Sequence, residues 1–587
     1  MNRELHRSVI CWGAALLALV TAASCPAGEA VAVNAGAGEC VTLFTQDDPR
    51  LFDFIDTRRG VDYQQYAGKR VRHITYLTLP VFNEKDKHED NWLYRLANSI
   101  HILTKHSVIE SRMLVHEEDA LEVERIRESE RILRESRYLY DAMILPAQVC
   151  GDDIDLLVVV RDVWTLQVTG SFGRTGGRNS TSVGLSDNNI FGYGHSVHLS
   201  YQADANRKGV AYGFTSDHLL DGHTRLDIEH LDSGEGPSDT LLIERPFYSI
   251  DTPWSAGLSY GSDNVREKVS TGDATSNAYD HHSEVADVRI GISSGIRDNV
   301  VHHWRIGISS KRNTYNNQDP AYSATASLPE DRVIAYPWLE FESLEYDYWT
   351  TSNVNQLFRN EDINLGTIYS IRAGVTSAGL GSTDRDWVSQ LNWQKTSSFG
   401  SHHVFRNQAY ATLYRNIDSG ELEHSYWGYS AYYDHFIDEL NRWHILMQFD
   451  AGSHLSPEEM LTTGGIEKLN PGGDPVRDVH LFGFPDDIQR GDRFALLDVE
   501  HRHFFDVHPF HLFRIGSALF FEAGKVWDTK DTFEQSEATL YDVGIGLRVN
   551  SSKARPNHII HMNLAFPLNE RDTAGTFQWS VYVSETF

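Results

Sequence analysis

Alternation of apolar and polar residues with a period of two runs through most of this chain. In the stretch 577–587 (FQWSVYVSETF), Phe577, Trp579, Val581 and Val583 share one face, while Gln578, Ser580 and Ser584 share the other. That pattern predicts a strand with one apolar face. About 9–11 residues suffice for a tilted strand to cross a bilayer. An unpaired strand edge is not tolerated in lipid, so such a strand is expected to close a barrel. From Trp164 onward similar segments recur, among them Trp164–Phe172, Ser196–Ala203, Thr224–His230, Trp254–Tyr260, His303–Ser309, Trp443–Asp450, Phe494–Phe504 and Ser517–Trp527.

Two kinds of connection divide these segments. Phe191–Gly194, Leu220–His223, Ile250–Pro253 and Asp506–Pro509 are short and rich in Gly, Asp or Pro. The stretches 262–285 and 311–334 are longer, polar and acidic, and read as loops. Short turns at one end and long loops at the other are expected of an outer-membrane barrel. Allowing about 26 residues per strand and connection gives about sixteen strands, an even number as such barrels require.

Upstream the period changes. Val71–Phe82 reads as a strand. Trp92–Leu103 carries Trp92, Leu96, Ile100 and Leu103 at helical spacing. Ser107–His116 and Val123–Tyr138 also read as helices, the latter with Glu and Arg interleaved along solvated faces. Asp141–Val149 and Asp155–Arg161 are strands around a Cys-Gly-Asp-Asp turn. One strand, three helices and two further strands make one small α+β domain.

The N-terminus adds a compartment. Arg3 and Arg7 precede an apolar run from Val9 to about Ala23, followed by small residues. This is the order of a secretory signal peptide, and the run is too short for a spanning helix. The expected layout is a signal peptide over 1–30, a linker or partly ordered lead-in over 31–65, the α+β domain over 66–161 and the barrel over 162–587. After cleavage at Ala27 or Ala30 only Cys40 and Cys150 remain, and an oxidising compartment allows either a disulfide or two thiols. A mean hydropathy of −0.40 beside 13 Trp, 26 Tyr and 27 Phe suits a wall in which lipid-facing and lumen-facing residues cancel. The net charge of −30 argues against a nucleic-acid partner.

No phosphate loop, HExxH or CxxC occurs. Adjacent histidines such as His302–His303 would point to opposite faces of a strand, so they make poor joint ligands. No cofactor, metal or catalytic residue is assigned, and the chain is read as a non-enzyme.

Several segments resemble the outer-membrane assembly and polypeptide-transport family, BamA/TamA-like and related to two-partner secretion transporters. Glu128–Ala142 with Gly151–Leu166, and Leu96–Ile109, look like a POTRA domain leading into a barrel. Asn189–Gly194, Glu244–Trp254, Leu481–Arg502, Phe520–Trp527 and Val543–Val549, together with the terminal Phe587, carry the barrel resemblance. The implied fold is a single α+β POTRA domain followed by an all-β transmembrane antiparallel barrel.

In this family an Arg-Gly-aromatic tip folds a long loop into the lumen and meets lumenal carboxylates. Here Gly483 and Phe484 match its last two positions, and Phe482 stands in place of the Arg. By alternation Asp498, Glu500 and Arg502 share one strand face and Glu522 lies on the corresponding face of the next, both expected to be lumenal. Arg490, Arg493 or Arg502 is a candidate substitute for the missing cation. The barrel's seam is expected between strands that begin near Trp164 and end at Phe587.

The resemblance implies insertion or translocation of polypeptides at the bacterial outer membrane. POTRA edges would capture clients by strand addition, and a lumen or first/last-strand seam would serve as the route. The implied partners are unfolded outer-membrane or secreted polypeptides, outer-membrane lipid and a candidate periplasmic protein. The alternatives are a passive channel or structural surface-exposed barrel and, further off, an outer-membrane hydrolase.

Overall fold

The computed structural model describes residues 40–584 apart from 58–60, 176, 204–207, 221, 235, 272–274, 317–327, 401, 457–458, 467–479, 531–537 and 555–557. The expected signal peptide and Phe587 lie outside the described residues.

The N-terminal part is built on a four-stranded sheet ordered β1 (Cys40–Thr42), β3 (Leu139–Cys150), β4 (Asp153–Asp162), β2 (Arg70–Leu79). β3 and β4 form an antiparallel hairpin, and β2 runs parallel to β4. Between β2 and β3 come α2 (Trp92–Ile100), α3 (His106–Glu110) and α4 (Val123–Arg134). The run Leu156–Val160 on β4 is apolar at every position because both of its faces are covered. Leu156, Val158 and Val160 pack with Val108, Ile109, Ile126 and Leu133 of α3 and α4. Leu157 and Val159 pack with Leu51 and Ile55 of α1 (Leu51–Thr57).

The described part of the stretch 31–65, expected to be a linker or partly ordered lead-in, thus supplies a strand and a helix to this core. Tyr63 fixes it further, its hydroxyl donating to the Ile144 carbonyl at 2.6 Å. Cys40 and Cys150 are joined by a disulfide and are register partners in the β1–β3 pair.

The remainder is a closed barrel. Among the described residues it has twenty strands, each antiparallel to its neighbours, from Leu166–Thr175 to Gln578–Ser584. The expected sixteen is too few for a physical reason. Turns at the far end, away from the sheet domain, are often as short as those at the near end: Thr175 is followed by a strand at Arg178, and Ser233 by one at Gly236. The described residues of the acidic stretch 262–285 are not a loop either. They continue two long strands, Trp254–Thr271 and Thr275–Arg297, paired over their length. Eighteen residues reach about 60 Å at roughly 3.4 Å each, well beyond a bilayer. Past the apolar belt both faces meet water, so the period-2 signal disappears there.

The outer face is apolar, with exposed side chains such as Ile290, Ile292, Trp304, Ile306, Ile308, Met447, Leu519 and Ile545. The inner face is charged. Arg289 meets Glu244 at 2.5 Å, and Glu340 receives both Arg305 at 2.6 Å and Arg372 at 2.8 Å.

Candidate functional site in the barrel lumen

The strand Arg493–Phe505 alternates between buried and half-buried positions along almost its whole length. Phe494, Leu496, Asp498, Glu500, Arg502 and Phe504 are buried on its inner face. Asp498 is the register partner of Glu522 on the next strand, and Glu522 is the partner of Asp542 on the one after. Three carboxylates therefore stand in a row across three strands. Directly opposed like charges repel, so this row needs donors.

The loop between Ser453 and Arg493 supplies two of them. Phe482 N–H donates to Glu522 Oε2 at 2.8 Å, and Gly483 N–H donates to Asp542 Oδ2 at 3.0 Å. The Phe482 ring packs edge-on to Phe520 at 5.4 Å and stacks on Tyr582 at 5.9 Å. Phe484 is fully buried beside Leu446, Leu481, Phe494, Leu496, Val526 and Leu540. The tip thus docks with backbone donors and aromatic packing where the resemblance implied a guanidinium.

The three candidate substitute cations lie in three different settings. Arg502 pairs with Glu500. Arg493 donates to the Gly452 and Asp492 carbonyls. Arg490 lies within the short pairing of Leu461–Thr463 with Gln489–Gly491, as the register partner of Thr462. Arg548, which sequence reading missed, is buried on the wall 3.9 Å from Glu500 and donates to Asn563 at 2.6 Å. Asp542 was missed as well. A signal for both existed, because Asp542, Gly544, Gly546 and Arg548 fall on one face of the strand Leu540–Ser551.

A second element enters from the near end. The connection 346–366 forms a short hairpin, Tyr348–Ser352 with Asn360–Asn364. The loop between its strands reaches the wall, where Arg442 Nη1 donates to the Asn353 carbonyl at 2.9 Å and buried Leu357 packs with Phe504, Ala518 and Ile559. The Glu361 carboxylate accepts from the backbone N–H groups of Val354, Asn355 and Gln356 at 2.8–3.1 Å. Burial pushes its pKa above the ordinary carboxylate value, and those N–H groups oppose the rise. The second strand of the hairpin, with the residue before it, grips the sheet domain. Arg134 of α4 pairs with Asp362 at 2.6 Å, Asn360 donates to Asp141 at 2.6 Å, and Arg359 donates to the Leu139 carbonyl at 3.1 Å. Nothing in the local pattern of 346–366 marks it as a lumenal element, because its partners lie far away in sequence.

The closure of the barrel differs from its other joints. Among the described residues, the last and first strands share one bridge pair, Val581–Arg174, whereas their flanking ladders hold seven and ten. The Arg174 guanidinium lies over the Trp579 ring at 5.1 Å. Trp164 is not in the seam strand. Its N–H bonds the Lys553 carbonyl at 2.6 Å, and it bridges to Ala554 in the turn before the penultimate strand, so the first strand begins at Leu166.

The edges of the sheet domain are largely covered. On β3, Gln148–Cys150 pair with β1, while Glu130, Tyr63, Arg134 and Arg359 occupy backbone groups from Leu139 to Ile144. On β2, the segment 118–121 covers Lys69–Val71, and Ile74 N–H donates to Glu117 at 3.1 Å. Among the described residues, Thr75–Leu79 pair on one side only, with β4. At the joint with the barrel, buried Asp162 accepts from His101 and Thr104 at 2.9 Å. Burial raises its pKa against those two bonds.

Comparison with known proteins gives the following. Residues 486–587 match the Omp85 superfamily domain. No curated protein matches the chain. Among solved structures, BamA from Haemophilus ducreyi lacking POTRA domains 1–3 aligns at 14% identity over 88% of this chain and 85% of its own, with a TM-score of 0.36. CdiB from Escherichia coli aligns at 12% identity over 89% and 77%, with a TM-score of 0.46. CdiB from Acinetobacter baumannii aligns at 10% over 89% and 74%, with a TM-score of 0.40.

Proposed function

We propose that this chain, an outer-membrane β-barrel with an Omp85 superfamily domain at residues 486–587, inserts or translocates polypeptides through the seam between its first and last strands. The carrying observation is that, among the described residues, one bridge pair, Val581–Arg174, joins the closure of a barrel whose other neighbouring strands share long ladders. A client strand that replaces this weak pairing keeps its backbone groups bonded in lipid, which the bilayer demands.

The lumen is the less favoured route. The tip at Phe482–Phe484 packs on its wall from one side and the 346–366 hairpin from the other, and this also speaks against a passive channel. In this reading the sheet domain is a POTRA unit on the periplasmic side. Its strand-addition edge would be β2 from Thr75 to Leu79, since the β3 edge is already occupied.

The test is assembly of an unfolded outer-membrane protein in proteoliposomes that contain the full chain. The reading expects faster folding of the client than in empty liposomes. Equal rates, with the barrel properly inserted, would overturn it.

A further inference from the structure

We infer that α2 and the two residues Ile102 and Leu103 after its C-cap form a lipid-contacting surface, resting on the membrane monolayer at the near end of the barrel beneath its seam. The inference rests on the membrane-spanning reading of the barrel.

α2 is amphipathic in an inverted sense for a domain helix. Trp92, Leu93, Leu96 and Ile100 fall within one arc at 100° per residue, and all are exposed, Trp92 at 71% and Ile100 at 60%. Ile102 and Leu103 extend the surface. The opposite side faces the protein: Tyr94 is buried, stacks on Phe82 at 4.2 Å and donates to the Phe510 carbonyl at 2.5 Å. An exposed apolar patch of this extent marks an interaction site.

Its position names the occupant. The start of the helix is held by the turn 506–512 through Tyr94. The chain just after it is held by the turn 188–195, where Lys105 N–H donates to the Gly192 carbonyl at 2.9 Å and Asn189 donates to Thr104 at 2.8 Å. These two turns lie on either side of the closure between the last and first strands. Trp164, which packs in the same cluster as Tyr94, leads directly into the first barrel strand.

The apolar arc therefore continues the outer face of that wall. Phe191 in the turn, and Leu166, Val168, Val183 and Leu185 on the first two strands, are all exposed apolar residues. An apolar helix face continuous with a lipid-facing belt, carrying a Trp, is the composition of a helix lying in the membrane interface.

The test places a nitroxide at Leu96→Cys or Ile100→Cys in the full chain, with Cys11 and Cys25 replaced by Ser and the Cys40–Cys150 disulfide kept. The protein is reconstituted in phosphatidylethanolamine–phosphatidylglycerol vesicles. Collision with oxygen is compared with collision with a soluble nickel chelate. Ile290→Cys on the outer wall is the lipid reference, and Arg127→Cys on the solvated face of α4 is the aqueous one. The inference expects the ratios at 96 and 100 to shift to the Ile290 value. Ratios equal to that at Arg127, with Ile290 remaining lipid-like, would overturn it alone. A water-like Ile290 would overturn the membrane-spanning reading itself.

Discussion

The backbone N–H of Gly483 donates to the Asp542 carboxylate at 3.0 Å, and a Cβ added at Gly483 would stand 2.6 Å from the Cβ of Asp542. The loop tip is therefore seated on the wall at a distance that only glycine allows. Gly483→Ala should lift the tip, since a rigid Cβ cannot clear the wall at that separation. Planar-bilayer conductance should rise. Asp542→Asn keeps an acceptor for the same N–H and should change conductance much less; equal effects of the two substitutions would contradict the assignment. A hydrogen bond to a charged group contributes about 1.5–3 kcal/mol.

The sheet domain and the near-end hairpin are coupled through buried Arg134 and half-buried Asp362. Arg134→Ala removes the guanidinium that Asp362, Glu130 and Asp141 share and leaves Asp362 the Thr350 hydroxyl at 2.6 Å. Breaking a buried pair from one side costs about 3–5 kcal/mol. Amide exchange in 348–364 should accelerate in this variant, and a double-mutant cycle with Asp362→Ala should show strong coupling. Additive effects would mean that the hairpin stays seated without the domain.

Acid should loosen the joint between domain and barrel. His508 lies in the turn that receives Tyr94 and bonds Ser552 at 2.8 Å. Burial, with Arg514 nearby, pushes its pKa from 6.5 down to about 3. The unfolded joint thus takes up a proton before the folded one, so this contribution to stability is full above 6.5 and fades as the pH falls toward about 3. His508→Gln should flatten that part of the pH profile of thermal unfolding.

The disulfide pins β1 across the edge of β3. Replacing Cys40 and Cys150 by Ser should destabilise the domain by about 2–4 kcal/mol and speed amide exchange at Gln148–Cys150 relative to β4. If exchange on β1 and its partner stayed unchanged, non-covalent pairing alone would be holding that edge.

How much of this was legible in the sequence depends on where each residue lies relative to the apolar belt. Inside it, alternation placed Asp498, Glu500, Arg502 and Glu522 on one side of the wall, because every second residue must be apolar there. The same rule applied to Leu540–Ser551 would have found Asp542 and Arg548. Beyond the belt the rule lapses, so the extension of Trp254–Thr271 and Thr275–Arg297 looked like a loop and the strand count came out low. The helices and strands of the sheet domain were visible from their periods. The role of 40–66 was not, because β1 is three residues long and acts through a distant disulfide partner. The hairpin in 346–366 was opaque for the same reason: Asp362 and Asn353 acquire meaning only from Arg134 and Arg442.

The most direct test of the central claim locks the seam. Arg174→Cys with Val581→Cys, register partners across the closure, can be joined by a short bis-maleimide in the purified full chain without reducing the native disulfide. The locked protein is then assayed for client folding in proteoliposomes against the same variant left uncrosslinked. Crosslinking should abolish the acceleration while the barrel stays inserted. Undiminished client folding with the seam covalently closed would contradict it.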